Sequence, residues 1–173
     1  KGVHFVTSDD HKGLVNAVRR HFQGAVWNRC QTHFSRNVLA RAPKRHQPGL
    51  KQQLRRMYDS LTLEEARRCL GEIVEEYESL APGAVAALEE GFYDVMGTLS
   101  LPYKYRRKLR TSNGLERLNG EIRRRDRVIR IYPNAESAIR LIGALLVEQD
   151  ERWSTEKKYM DMQEYYDSLD SSE

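Results

Sequence analysis

Between Thr111 and Arg130 the chain reads TSNGLERLNGEIRRRDRVIR, and this stretch limits the fold more than any other. Thr111, Ser112 and Asn113 can each accept from the first unpaired N–H groups of a helix, and Glu116 and Glu121 follow within its first turns. Leu115, Leu118 and Ile122 recur at spacings of three and four, which confines the apolar side chains to one face. Glu116 and Asn119 stand three apart and are neighbours on another part of the surface. Arg123, Arg124, Arg125, Arg127 and Arg130 then crowd together, and an acidic polymer is their natural partner. On periodicity alone the stretch is an amphipathic helix with a solvated basic end.

Charge along the 173 residues is sorted into blocks. Residues 1–60 hold 12 Lys/Arg against 3 Asp/Glu, and residues 103–130 hold 11 against 3. Residues 61–102 hold 2 against 9, and residues 131–173 hold 4 against 10, so the net charge of +4 conceals two basic segments. Folded together, those segments make one basic face of the kind a nucleic-acid protein uses. No run approaches the roughly 20 apolar residues of a membrane span. Two cysteines, Cys30 and Cys69, make no disulfide framework. These features fit a cytoplasmic, reducing setting without membrane partners. The chain opens at Lys1 directly on a strand-like run, and we expect it to be cut from a longer protein.

Val3, Phe5 and Val6 predict a short strand ending in Thr7-Ser8-Asp9-Asp10. Sites in open α/β sheets gather at the carboxyl ends of strands, where Asp9 stands; the plainer alternative is that Asp9 or Asp10 caps a helix from about His11 to Phe22. Ala25, Val26 and Trp27 predict a second strand. Cys30-x-x-His33 follows, a spacing that suits zinc, but such a site takes about four ligands and no second close pair exists. His21, His46 and Cys69 are the other obvious donors. A helix is expected over Thr32 to Arg41, with Arg36 and Asn37 either on phosphate or solvated.

Three helical patterns succeed the basic loop at Lys44-Arg45-His46. Leu50, Leu54 and Met57-Tyr58 mark the first. Thr62 with Glu65 forms a capping box for the second, with Ala66, Leu70, Ile73, Val74 and Tyr77 as its stripe. Pro82 opens the third, which runs to about Val95. Lys104, Arg106, Arg107, Lys108 and Arg110 then interleave with Tyr103 and Tyr105, which either stack on bases or sit in the core. From Ile131 to Trp153 the sequence predicts a buried core helix started by Pro133 or Asn134, apolar through Ala138, Ile139, Leu141, Ile142, Leu145 and Leu146. The acidic tail beyond Ser154 carries a stripe of Tyr159, Met162, Tyr165 and Tyr166, with fraying expected over Ser168 to Glu173.

The string N-x-L-E-R-x-N-x-E-I-x-R-R from Asn113 to Arg125 resembles the signature around the third catalytic carboxylate of the Mutator-like family of bacterial insertion-sequence transposases. VTSDDHKGL resembles the family's segment around its second catalytic Asp, and Cys30-x-x-His33 matches an element that follows it. The resemblance implies a predominantly helical α/β chain, a partial RNase H-like core with a large helical insertion. It divides the chain into a core segment at 1–48, the insertion at 49–102, the Glu-bearing and core helices at 103–153 and the tail at 154–173. It also implies Asp9 and Glu116 as catalytic and metal-binding acids, with Asp10 and Glu121 as competing assignments. Two Mg²⁺ (or Mn²⁺) ions would sit between the acids, because these ions favour hard oxygen donors. Cys30 and His33 become a structural motif. Double-stranded DNA, as transposon ends and target, becomes the partner of Arg106, Arg107, Lys108, Arg110, Arg117, Asn119, Arg123, Arg124, Arg125 and Arg127. A homo-oligomer is implied for the full-length protein. The family's first Asp has no counterpart ahead of Asp9, so the implied activity is that of a longer transposase, with this stretch inactive alone.

Two other classes remain open at this point. A non-catalytic helical DNA-binding module needs only the continuous basic surface, and a helical scaffold would bury its basic runs against acidic segments.

Overall fold

The computed structural model describes residues 2–155 and 160–170. They form two compact units, Lys1–Ser112 and Asn113–Glu173. Helix dominates both, and the described residues contain one two-stranded sheet.

The first unit opens as strand, helix, strand. β1 (Phe5–Ser8) lies parallel to β2 (Val26–Arg29), with Phe5 opposite Val26 and Ser8 opposite Arg29. A parallel pair needs a crossover, and α1 (Lys12–His21) supplies it, burying Val15 and Val18. Gly24 takes a left-handed φ of 84° in the turn back to β2, a conformation that costs glycine little. Both strands begin slightly later than their apolar runs suggest, and both continue into polar residues.

Four helices carry most of the core: α2 (Gln31–Ala40), α3 (Gln47–Tyr58), α4 (Leu63–Tyr77) and α5 (Pro82–Val95). Leu50, Leu54 and Met57 of α3 are buried as their spacing predicts, and they join Phe34, Val38, Ile73, Leu88, Phe92 and Val95 in one cluster. Thr62 caps α4 by accepting the Glu65 N–H at 3.1 Å. The Glu65 carboxylate reaches back one residue further than in a standard capping box and accepts the Leu61 N–H at 2.9 Å. Cys69 is buried within this cluster, away from Cys30, as one more apolar residue of the α4 stripe.

A short 3₁₀ turn at Gly97–Ser100 leads into α6 (Tyr103–Leu109). The two tyrosines of α6 divide: Tyr105 is buried, and Tyr103 is 70% exposed. Arg106 ties this region together. Its guanidinium donates to the carbonyls of Leu101 at 2.8 Å, Leu61 at 2.8 Å and Leu99 at 3.1 Å.

The second unit contains α7 (Asn113–Ile129), α8 (Ala135–Thr155) and α9 (Gln163–Asp170). Arg130 closes α7 with a φ of 62°, donating its N–H to the Asp126 carbonyl at 2.9 Å. Asn134 caps α8 by accepting the Ser137 N–H at 2.8 Å. The expectation of a buried core helix over Ile131 to Trp153 is corrected here. Leu145 is buried, but Ile139 is 69% exposed and Leu146 41%. The physical reason is coverage: an apolar arc this wide needs partners on several sides, and these helices leave much of it uncovered. Tyr165 is buried on α9 with Met162 and Tyr166 partly so; Tyr159 and residues 171–173 lie outside the described residues. No helix among the described residues is long and apolar enough to cross a membrane.

Candidate functional site

The carboxyl end of β1 is held by its neighbours. The Cys30 N–H donates to the Ser8 carbonyl at 2.8 Å. The Trp27 indole N–H donates to the Ser8 hydroxyl at 2.9 Å, and that hydroxyl donates to the Asp9 carbonyl at 2.9 Å. Asp9 therefore emerges from the strand at a fixed place, beside the first turn of α2. Within that turn Cys30 and His33 stand three residues apart and share a face.

These three residues converge. One ligand-type atom from each of Asp9, Cys30 and His33 lies within 4.8 Å of the others. The His33 Nδ1 meets the Asp9 Oδ1 directly as an ion pair or hydrogen bond. Cys30 is wholly buried, whereas the Asp9 side chain is 52% exposed and that of His33 29%. The sequence proposes the Asp and the C-x-x-H pair as separate features; the structure makes them one cluster.

Asp10, the competing assignment, turns elsewhere. Its carboxylate pairs with Arg29 at 3.1 Å, and Arg29 in turn lies over the Phe34 ring at 4.8 Å. Asp10 also lines a cleft of about 230 Å³ with Lys12, Asn16, Arg19, Trp27 and Asp94. Burial, and secondarily the charge of Asp10, raise the pKa of Asp94 there.

Ser112 is the residue that sequence reasoning missed as part of this cluster. Its N–H and hydroxyl both donate to the Cys30 Sγ, at 3.4 and 3.5 Å. Two more links hold the same segment: Thr7 Oγ1 donates to the Leu109 carbonyl, and the Gln31 N–H donates to the Arg110 carbonyl at 3.0 Å. The chain from Leu109 to Ser112 is thus pinned across the end of β1 and the start of α2. Asn28 is a second such residue. It is wholly buried, and its Oδ1 accepts the Thr98 N–H at 3.2 Å, fixing β2 against the Gly97 turn. No local pattern marks either of these links, because the partners lie 82 and 70 positions away.

The basic residues separate into two groups. Arg106 is occupied with carbonyls, and Arg110 pairs with Asp59 at 2.7 Å. Arg124 and Arg125 both hydrogen-bond Glu121, at 2.7 and 3.1 Å, and hold its carboxyl down to about 2. Glu121 is therefore engaged along its own helix. Arg107 and Lys108 are exposed on α6, and Arg117, Asn119, Arg123 and Arg127 are exposed on α7. Glu116 is exposed in the first turn of α7, within the second unit.

All of these residues lie within a stretch that matches a known family. The profile of the family described as Transposase, Mutator family, matches residues 1–156. The transposase for insertion sequence element ISRM5 of Rhizobium meliloti is 41% identical over 162 residues, covering 94% of this chain and 41% of the relative. The transposase for insertion sequence element IS256 in transposon Tn4001 of Staphylococcus aureus is 35% identical over 163 residues, covering 92% and 42%. The transposase for IS1081 of Mycobacterium tuberculosis is 33% identical over 162 residues, covering 94% and 39%. The chain thus spans about two fifths of the length of these curated relatives. With a family match running through the Asp9 cluster and on beyond α7, the chain belongs to the Mutator family of transposases.

Proposed function

We propose that this chain is the C-terminal part of the catalytic region of a DDE transposase, which cuts and joins DNA as an insertion sequence moves. In this reading the strand–helix–strand unit belongs to an RNase H-like core over residues 1–48, and residues 49–102 form an insertion. Residues 103–153 return to the core, and 154–173 are an accessory tail. Asp9 and Glu116 are its second and third acids.

One observation carries the reading: Asp9 leaves the carboxyl end of β1 half exposed, at a place fixed by the Ser8–Cys30 hydrogen bond, within a family match over residues 1–156 that takes in Glu116 as well.

Asp9 fits a hard divalent cation. It is half exposed at a strand end, and a carboxylate that gives one oxygen to His33 has a second to offer. Asp9 and Glu116 would hold Mg²⁺ or Mn²⁺, which supplies activation of the attacking oxygen and charge stabilisation at the leaving oxygen. The protein's own part is positional. The Ser8 and Cys30 hydrogen bond fixes where Asp9 leaves the strand, and His33 orients its carboxylate. The exposed Arg107, Lys108, Arg117, Asn119, Arg123 and Arg127 hold the phosphate backbone of double-stranded DNA. Arg106, Arg110, Arg124 and Arg125 belong to the same basic segments and act through the groups they brace.

Manganese broadening of NMR lines tests the shared cation. Adding Mn²⁺ to the 173-residue chain should broaden amides at Thr7 to Asp10 and at Leu115 to Arg117 together, and Asp9→Asn or Glu116→Gln should weaken both effects. Broadening at one stretch alone would separate the two acids. DNA binding that persisted in that case would leave a helical DNA-binding module.

A further inference from the structure

We propose that Asp9, Cys30 and His33 form a binding site for one borderline-soft divalent ion of the zinc class. The site differs in donor chemistry from the hard-cation pair described above, and it stands whether or not Glu116 joins Asp9. A thiolate, an imidazole and a carboxylate are together a zinc-type set, whereas Mg²⁺ selects oxygen alone.

Geometry brings the donors to one point from two elements. Cys30 occupies the N-cap position of α2 and His33 its first turn, and β1 delivers Asp9 beside them through the Ser8–Cys30 hydrogen bond. The three donor atoms lie within 4.8 Å of one another. Around a tetrahedral ion with bonds of roughly 2.0–2.3 Å, donors stand roughly 3.3–3.8 Å apart. Small side-chain rotations reach that arrangement, with His33 and Asp9 moving apart to admit the ion.

The surroundings of Cys30 supply an independent argument. Its buried sulfur receives both the N–H and the O–H of Ser112. Donors aimed at a ligating atom are the outer partners that orient metal ligands and tune their basicity. Cys69 provides the internal contrast. It is buried among apolar neighbours, with the Ser60 Oγ 4.0 Å from its sulfur. It behaves as a packing residue, while Cys30 is provided with donors. Three protein ligands leave a fourth position for water, and the partial exposure of Asp9 and His33 opens the cluster to solvent. On binding, the ion replaces the thiol proton of Cys30, which passes to solvent, and forms the metal–sulfur bond.

Cobalt(II) is the probe, because thiolate ligation gives a near-ultraviolet sulfur-to-cobalt charge-transfer band. The 173-residue chain should develop this band and saturate at one equivalent. Zinc should abolish it, and a large excess of Mg²⁺ should not. Cys69→Ser should keep the band, and Cys30→Ser should lose it. Ser112→Ala, which removes one outer donor, should weaken binding on the order of 10-fold. Absence of the band in the wild-type chain overturns the proposal, even if Cys30→Ser fails to fold. So does a band that survives Cys30→Ser. Neither result depends on the manganese experiment, so failure of the shared-cation reading and failure of this site are distinguishable.

Discussion

At the scale of single residues, the sequence identifies side chains by type but not by engagement. Arg106 illustrates this. It stands in a run of cations that reads as a phosphate-binding strip, yet its guanidinium serves three carbonyls, from the loop at Leu61, the 3₁₀ turn at Leu99 and the link at Leu101 that precedes its own helix. Arginine's planar fork suits this task, because several donors are held in one plane. Tyr58 offers a residue-scale test. Its hydroxyl meets Ser35 Oγ at 3.0 Å, and burial pushes its pKa above the ordinary 10 despite the opposing effect of that hydrogen bond. Above pH 10 the unfolded chain releases this proton while the folded chain keeps it, so stability falls as pH rises through that range. Tyr77 is raised in the same direction. Tyr58→Phe should therefore make the alkaline loss of stability shallower without removing it, as followed by urea unfolding between pH 9 and about 11.

At the scale of elements, legibility follows the reach of the pattern. α3, α4 and α5 lie where their apolar spacing and caps put them, because each signal is contained within one helix. The same method overstates α8, since an apolar arc states what a helix would bury and not whether a partner is present to cover it. The joining of Asp9 to Cys30-x-x-His33 lies between these cases. Each part is visible locally, and only strand pairing brings them together. The crossing of α2 and α5 is equally invisible in sequence, although Gly91 marks it. A Cβ at this position would stand 2.4 Å from Phe34 Cε2 and 3.0 Å from Arg29 Nη1. Phe34 is buried and cannot swing into solvent. Gly91→Ala should destabilise the first unit by about 1–3 kcal/mol through overpacking, less the modest gain from alanine's helix propensity. Chemical denaturation monitored at the α2–α5 amides would measure it.

For the whole molecule, the two units differ in how much apolar surface they enclose. The first contains an extended cluster from Phe34 to Met96. In the second, Leu145 and Tyr165 are the buried hydrophobic side chains among the described residues, while Val128, Ile131, Ile139, Val147 and Trp153 are exposed. Local opening is cheapest where few apolar contacts resist it. Limited proteolysis should accordingly cut residues 113–155 well before residues 31–95, although the former are almost wholly helical. First cuts inside α3 to α5 would contradict this ranking. Charge sorting is the whole-molecule property best read from sequence, because it requires only counting. Which cations face outward is not, because Asp59 and Glu121 draw Arg110, Arg124 and Arg125 to themselves.

The pinned segment from Leu109 to Ser112 also has a kinetic meaning. It is the last stretch of the first unit, and its carbonyls, N–H and hydroxyl engage Thr7, Gln31 and Cys30. Unwinding that spreads backward from α7 meets these bonds and must break them before it can pass. The boundary is therefore a stop for fraying. Amide exchange should change abruptly between Ser112 and the residues that follow, and the Gln31 amide, far away in sequence, should open in time with it.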